Sequence, residues 1–335
     1  MKADRDVTEK AALPGRDDRI DLARGIAMIL VVFGHALVGA KDAGQDTFWV
    51  RFLLVVIYST HMALFFEVSG ILSGSMAKRP WAQFTTSMLQ RIVWPYVLWS
   101  FVIYSIHFMM SGYTNAVIAE YQPWRIFIRP PAVMWFLYVL FIAMIILRVL
   151  APLDRRVTLV VGAVLLLAPY VYSGWPENSR FVGLFLLAAV AGKAAIPYLT
   201  RPAFVAVSAA IMCVVVVMAW MQSLELLPGY PASQARYIPA LVAGPALIFA
   251  ACHLARSTGV MSGVQRFLVY VGQKTMAIFV THILITAGSR IGLRLVGIDS
   301  WPLIILIATV LGVGLPLIAV TITDRLNLSK WLGWR

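Results

Sequence analysis

IDLARGIAMILVVFGHALVGA, residues Ile20 to Ala40, is long enough to cross a bilayer, because about 20 apolar residues rising ~1.5 Å each span a ~30 Å hydrocarbon core. It nevertheless carries Asp21 and Arg24 near one end and His35 well inside. Ionisable groups at membrane depth are costly and usually face a protein interior or a wet cavity. At ~100° per residue, Arg24 and His35 return to within about 20° of one face, roughly 16 Å apart. Met28 and Val31 fill the stripe between them. One face of one buried helix thus offers a cation near its start and an imidazole near its far end.

The whole chain is of the same character. Of its 335 residues, 61% are hydrophobic and only 13% charged, too little polar surface for a soluble protein of this length. The net charge of +13 is the Lys and Arg that cytoplasmic loops of membrane proteins collect. No basic block with interleaved aromatics lies outside the apolar stretches, so no nucleic-acid partner is expected. Cys213 and Cys252 both fall inside apolar segments and read as small core residues. The polar, mixed-charge start and the interruptions at Arg24 and His35 predict an uncleaved first span.

Hydropathy places ten spans, at 20–40, 49–74, 92–110, 133–150, 157–174, 181–198, 203–222, 237–255, 267–287 and 301–322. An even number puts both termini on one side. The connecting segments on that side hold 18 Lys and Arg against 8 on the other, Arg24 and Lys274 lying inside spans. The positive-inside rule therefore predicts cytoplasmic termini. The expected architecture is an all-α integral membrane bundle of about ten helices. It has a tail at 1–19, a transmembrane domain at 20–322 and a second tail at 323–335. In the segment 111–132, Trp124 could anchor a short interfacial helix.

Counting depth along the spans sorts the polar residues into layers. His35, His61 and His282, on three separate spans, share one level. Arg24, Glu67 and Lys274 share another, with Arg91 at the cytoplasmic mouth. The plain alternatives are weighed residue by residue. A lone intramembrane histidine most often bonds a neighbouring carbonyl, the reading given to His107 and His253. Glu67 shares a face with Thr60, Ala63, Gly70 and Gly74 and reads as a packing seam with a counter-charge to Arg24 or Lys274. Phe65–Phe66 reads as packing. No metal is expected, since no carboxylate or cysteine joins the histidine level and no ligand-pair spacing is present.

A neutral imidazole in a wet cavity can take a proton from a hydroxyl, and a cationic mouth attracts a phosphate-bearing donor. A proton-coupled exporter could use the same residues. Motifs weigh against it. Arg19-IDLARGIAMILVVFGHAL, His61-MALFFEVSGILSG, Arg91-IVWPYVLWS, Trp135-Phe136-Leu137-Tyr138 and VGQKTMAIFVTHILI from Val271 to Ile285 occur in one order over nearly the whole chain. Together they resemble the acyltransferase-3 family of membrane O-acyltransferases, especially the branch related to fucose 4-O-acetylase. Glu67 and Val133–Met134 depart from that pattern, which commonly has an apolar residue and a polar pair there.

The resemblance implies acetyl-CoA or another acyl-CoA as donor and a carbohydrate hydroxyl as acceptor. It also makes His35 the family's essential histidine and Arg24 its partner. The expectation is an O-acyltransferase of the bacterial inner membrane with His35 as general base, oriented by His61 or His282. Arg24, Arg91 and Lys274 would hold the donor, and Asp21 and Glu67 would serve as structural counter-charges.

Overall fold

The computed structural model describes residues 17–111, 120–172, 174–227, 237–257 and 261–334. Among these, the regular structure is entirely helical. Helix α1 (Asp18–Asp42) starts at an Asp17 cap whose side chain accepts from the Arg19 backbone N–H. The Arg19 guanidinium bonded to that carboxylate holds it below the usual carboxylate range. The chain continues through α2 (Phe48–Tyr58), α3 (His61–Ala77), α4 (Trp81–Met88), a π-helical turn at Leu89–Val93, and α5 (Trp94–Met109). Then come α6 (Trp135–Leu150), α7 (Arg155–Val171), α8 (Ser179–Ala191), α9 (Ile196–Leu199), α10 (Pro202–Ser223) and α11 (Ile238–Ser257). The last three are α12 (Gly263–Gln273), α13 (Thr275–Leu295) and α14 (Trp301–Arg325).

Nine helical segments among the described residues are long and apolar enough to cross a membrane. The expected span at 157–174 is α7, which has 17 residues and reaches about 25 Å. Hydrogen bonds and ion pairs gather the starts of α1 and α13 and the end of α14 at one end of the bundle. Helix α7 is not among the nine, so the tenth expected span rests on hydropathy alone.

Helix α1 is the hub, packed against α2, α3, α11, α12, α13 and α14. Its tightest crossing is with α12. A Cβ on Gly272 would strike the Asp21 carbonyl oxygen, so only glycine allows that approach. The core beside it is aromatic. Phe66 stacks on Phe181 at 5.1 Å and meets Phe136 edge-on at 4.9 Å.

Two expected spans are broken. The segment read as 49–74 turns at Ser59–Thr60, where side chains compete for the backbone. Ser59 Oγ donates to the Val55 carbonyl at 2.7 Å, and Thr60 Oγ1 donates to that of Ile57 at 3.1 Å. The segment read as 267–287 breaks at Lys274, and the crossing helix is α13, shifted eight residues onward. Hydropathy averages across both turns because each keeps its flanks apolar.

Around Trp124 there is a 3₁₀ turn, Pro123–Phe127, with the indole exposed; residues 112–119 of that segment lie outside those described. Residues 326–334, expected as part of a tail, fold back on α5. Trp94 Nε1 donates to the Trp331 carbonyl at 2.7 Å and Trp99 Nε1 to that of Leu332 at 2.9 Å, while Trp334 stacks on Trp99 at 5.9 Å.

Candidate active site

The helix breaks set up the histidine layer. His61 opens α3, where its Nδ1 lies 2.6 Å from the Ile57 carbonyl oxygen. His282, fully buried in α13, places Nδ1 at 2.8 Å from the Phe279 carbonyl and 3.1 Å from that of Ile278. Carbonyl oxygens only accept, so both Nδ1 atoms carry the proton and each neutral ring keeps its lone pair on Nε2. For His282 that Nε2 is buried with no hydrogen-bond partner. The His35 ring lies 5.2 Å from His282, centroid to centroid. Among the described residues, none hydrogen-bonds to the His35 ring. Tyr58 connects the third histidine, edge-on to His35 at 6.4 Å and to His61 at 4.8 Å. Gly34 leaves the room for that phenol, since a Cβ there would lie 3.2 Å from the Tyr58 ring.

Two cavities lie toward opposite ends of α1. The first, about 300 Å³, is lined by Arg24, Met28 and Val31 of α1, by Arg91, and by Thr275, Met276 and Phe279 of α13. Arg24 is fixed there by Nη2 donating to Thr275 Oγ1 at 2.7 Å and by buried Asp21 at 3.9 Å, three residues earlier on the helix. Arg91 enters on the π-helical turn, a distortion common at functional sites. The second pocket, about 170 Å³, is lined by His35, Gly39 and Asp42 of α1, Thr286 and Arg290 of α13, and His107 of α5. Phe279 lines the first cavity with its ring 6.1 Å from His282, so the histidine pair stands between the two.

The structure therefore brings together His35, His61 and His282, and separately Arg24 and Arg91. It does not bring Lys274 to them. That ammonium sits at the α12–α13 break, paired with Asp324 at 2.9 Å, and the residues from this break that reach the cavity are Thr275 and Met276. Nor does Glu67 pair with Arg24 or Lys274. The cavity-lining positions Met62, Phe65, Ser69, Leu72 and Met76 lie on one face of α3. Glu67 lies on the opposite face with Gly70, where a Cβ would strike the Phe185 carbonyl of α8. Its expected role as their counter-charge is replaced by Asp21 and Asp324. Phe66 is core as expected, but Phe65 lines the cavity. His253 meets Arg19 Nη1 at 3.2 Å, away from both cavities. His107, given the plain reading, lines the His35 pocket.

Sequence reasoning missed Tyr58, Asp42 and Arg290. Tyr58 was signalled by its place three residues before His61, on the next turn. Arg290 was hidden because the ninth span was ended at 287.

An all-helical membrane bundle thus holds a histidine pair between two cavities, each with an arginine in its lining. The chain belongs to the acyltransferase-3 family: the acyltransferase domain model matches residues 17–321, nearly its whole length. It is similar to the nodulation protein NolL of Mesorhizobium japonicum, 28% identical over 158 residues, or 46% of this chain and 41% of that protein. It is also similar to NolL of Sinorhizobium fredii, 30% identical over 113 residues, covering 32% of this chain and 31% of that one. The matched region thus spans less than half the length of these relatives. No solved structure gives a significant match. The protein is a multi-pass membrane member of the acyltransferase-3 family.

Proposed function

We propose that this enzyme moves an acyl group, in the first place acetyl, from acyl-CoA to a hydroxyl of a carbohydrate in the bacterial inner membrane, with both termini cytoplasmic. The observation that carries the reading is the His35–His282 pair, with its unpartnered Nε2, beside a cavity that holds two arginines. His35 removes the proton from the acceptor hydroxyl as its oxygen attacks the thioester carbonyl carbon. The new C–O bond forms and the C–S bond breaks, and His35 returns the proton to the departing sulfur. While His35 is protonated, His282 Nε2 accepts a hydrogen bond from it, a role supported by the nearness of the two rings and by that nitrogen's lack of a partner. His61 orients the layer through Tyr58.

Arg24 and Arg91 hold the donor's phosphates and polar chain, as guanidinium forks do. Lys274 is left out of that role because Asp324 already satisfies it. The test is acyl transfer from labelled acetyl-CoA by His35→Ala protein that inserts and accumulates normally. Turnover within a few-fold of the unaltered enzyme would remove His35 as base.

A further inference from the structure

We propose that the His35 pocket is the acceptor subsite, and that Arg290 and Asp42 select a neutral polyhydroxyl ring there. This rests on the acyl-transfer reading and adds to it the place, the residues and the charge of the acceptor.

The pocket descends along two helices. On α1, His35, Gly39 and Asp42 follow on successive turns, about 10 Å from base to rim. On α13, Thr286 and Arg290 run parallel to them, one and two turns beyond His282. A Cβ on Gly39 would lie 3.3 Å from Arg290 Nε, so the guanidinium reaches across α1 directly above the catalytic layer. Among the described residues, none forms a hydrogen bond or ion pair with Arg290 or with Asp42, although Arg290 is half-buried. Three other cations of the bundle have carboxylate partners: Arg24 has Asp21, Lys274 has Asp324, and Arg256 has Asp18 at 3.4 Å. Asp42 is the opposite charge acting on Arg290 but holds no bond to it, so the guanidinium's donors are open to a ligand.

The chemistry of the rim defines that ligand. One group only donates and the other only accepts, so the pair suits a molecule that does both without net charge. Adjacent ring hydroxyls meet that demand. The wall from α14, with Ile304 buried, is apolar and suits the C–H face of a ring. At about 170 Å³ the pocket is smaller than the Arg24 cavity and too small for an adenine nucleotide. Donor and acceptor then meet His35 from opposite ends of α1.

The experiment uses the full-length protein in detergent, acetyl-CoA as donor and a series of neutral methyl glycosides as acceptors. Arg290→Gln and Asp42→Asn should each raise the acceptor KM about tenfold or more and leave the acetyl-CoA KM within about twofold. An unchanged acceptor KM in both variants, or a rise confined to the donor, overturns the assignment. A second measurement needs no turnover. Ala287→Cys, which lines the same pocket, is placed in a Cys213→Ala background and labelled with a maleimide. Methyl glycosides should slow labelling several-fold and acetyl-CoA should not. Protection by acetyl-CoA alone, or by neither, overturns the proposal. If the unaltered enzyme acylates no glycoside, the acyl-transfer reading fails for this class, and the labelling still decides what the pocket binds.

Discussion

The two cavities on either side of the histidine pair are built from different materials. Met28, Met62, Met76, Met144 and Met276 line the Arg24 cavity, where unbranched thioether chains can reshape the walls. Ala36, Ala132, Ala287 and Ala308 line the His35 pocket, where there is little side chain to move. The cations differ as well. Arg24 is fixed by two partners of its own chain, whereas Arg290 has the opposite charge of Asp42 nearby but no bond to it. A pliable cavity with a braced cation suits a long, flexible donor whose acyl end must be delivered to one point. A stiff pocket with an open charge pair suits discrimination among small rings. On the acyl-transfer reading, the difference divides binding from selection between the two ends of one helix.

Breaking the divider should have the largest effect. His35→Ala is expected to lower acyl transfer by ~10²–10⁴-fold, measured as CoA release with labelled acceptor, at normal abundance in the membrane. His282→Phe keeps the ring packing and deletes the buried Nε2. It should reduce kcat roughly 10- to 100-fold, about the worth of one hydrogen bond to a group that becomes charged, with both KM values nearly unchanged. A loss expressed only in KM would mean His282 serves packing alone.

Smaller changes separate the cavities. Arg91→Ala should raise the acetyl-CoA KM roughly tenfold and spare the acceptor KM, the mirror image of Arg290→Gln. If Arg91→Ala moved the acceptor KM instead, the two ends would have to be exchanged. Lys274→Ala should be the mildest. It removes a half-exposed ion pair with Asp324, worth about 1 kcal/mol or less, and should slightly lower thermal stability without touching donor KM. A clear rise in donor KM would return Lys274 to the binding site.

How much of this was legible in the sequence follows from what hydropathy can resolve. The registry of Arg24 and His35 needed only the helical period, and the common level of the three histidines needed only the rise per residue. The turns at Ser59–Thr60 and Lys274 were not legible, because a bilayer requires apolar flanks whether or not a helix is broken between them. That one blind spot explains two further errors. It placed Lys274 inside a span rather than at a cap, and it put Arg290 in a loop instead of two turns beyond His282. Glu67 was misjudged for a different reason. The helical period put it on the seam with Gly70, and that face lies opposite the cavity that Arg24 lines, so only its expected counter-charge role failed.

The fold-back of residues 326–334 sets a clock on assembly. Trp94 lies one turn beyond Arg91, and its indole bonds a carbonyl 237 residues later in the chain. At translation rates of about 5–20 residues per second, roughly 12–50 s pass between the two leaving the ribosome. Throughout that interval α5 can insert, but its tryptophans lack the carbonyls they bond in the finished protein. The brace on α5 is therefore completed last, and a nascent chain halted after Asn327 should integrate in the membrane yet fail to retain labelled acetyl-CoA if that brace shapes the Arg24 cavity. Retention by the halted chain would show that the fold-back braces α5 without governing the cavity.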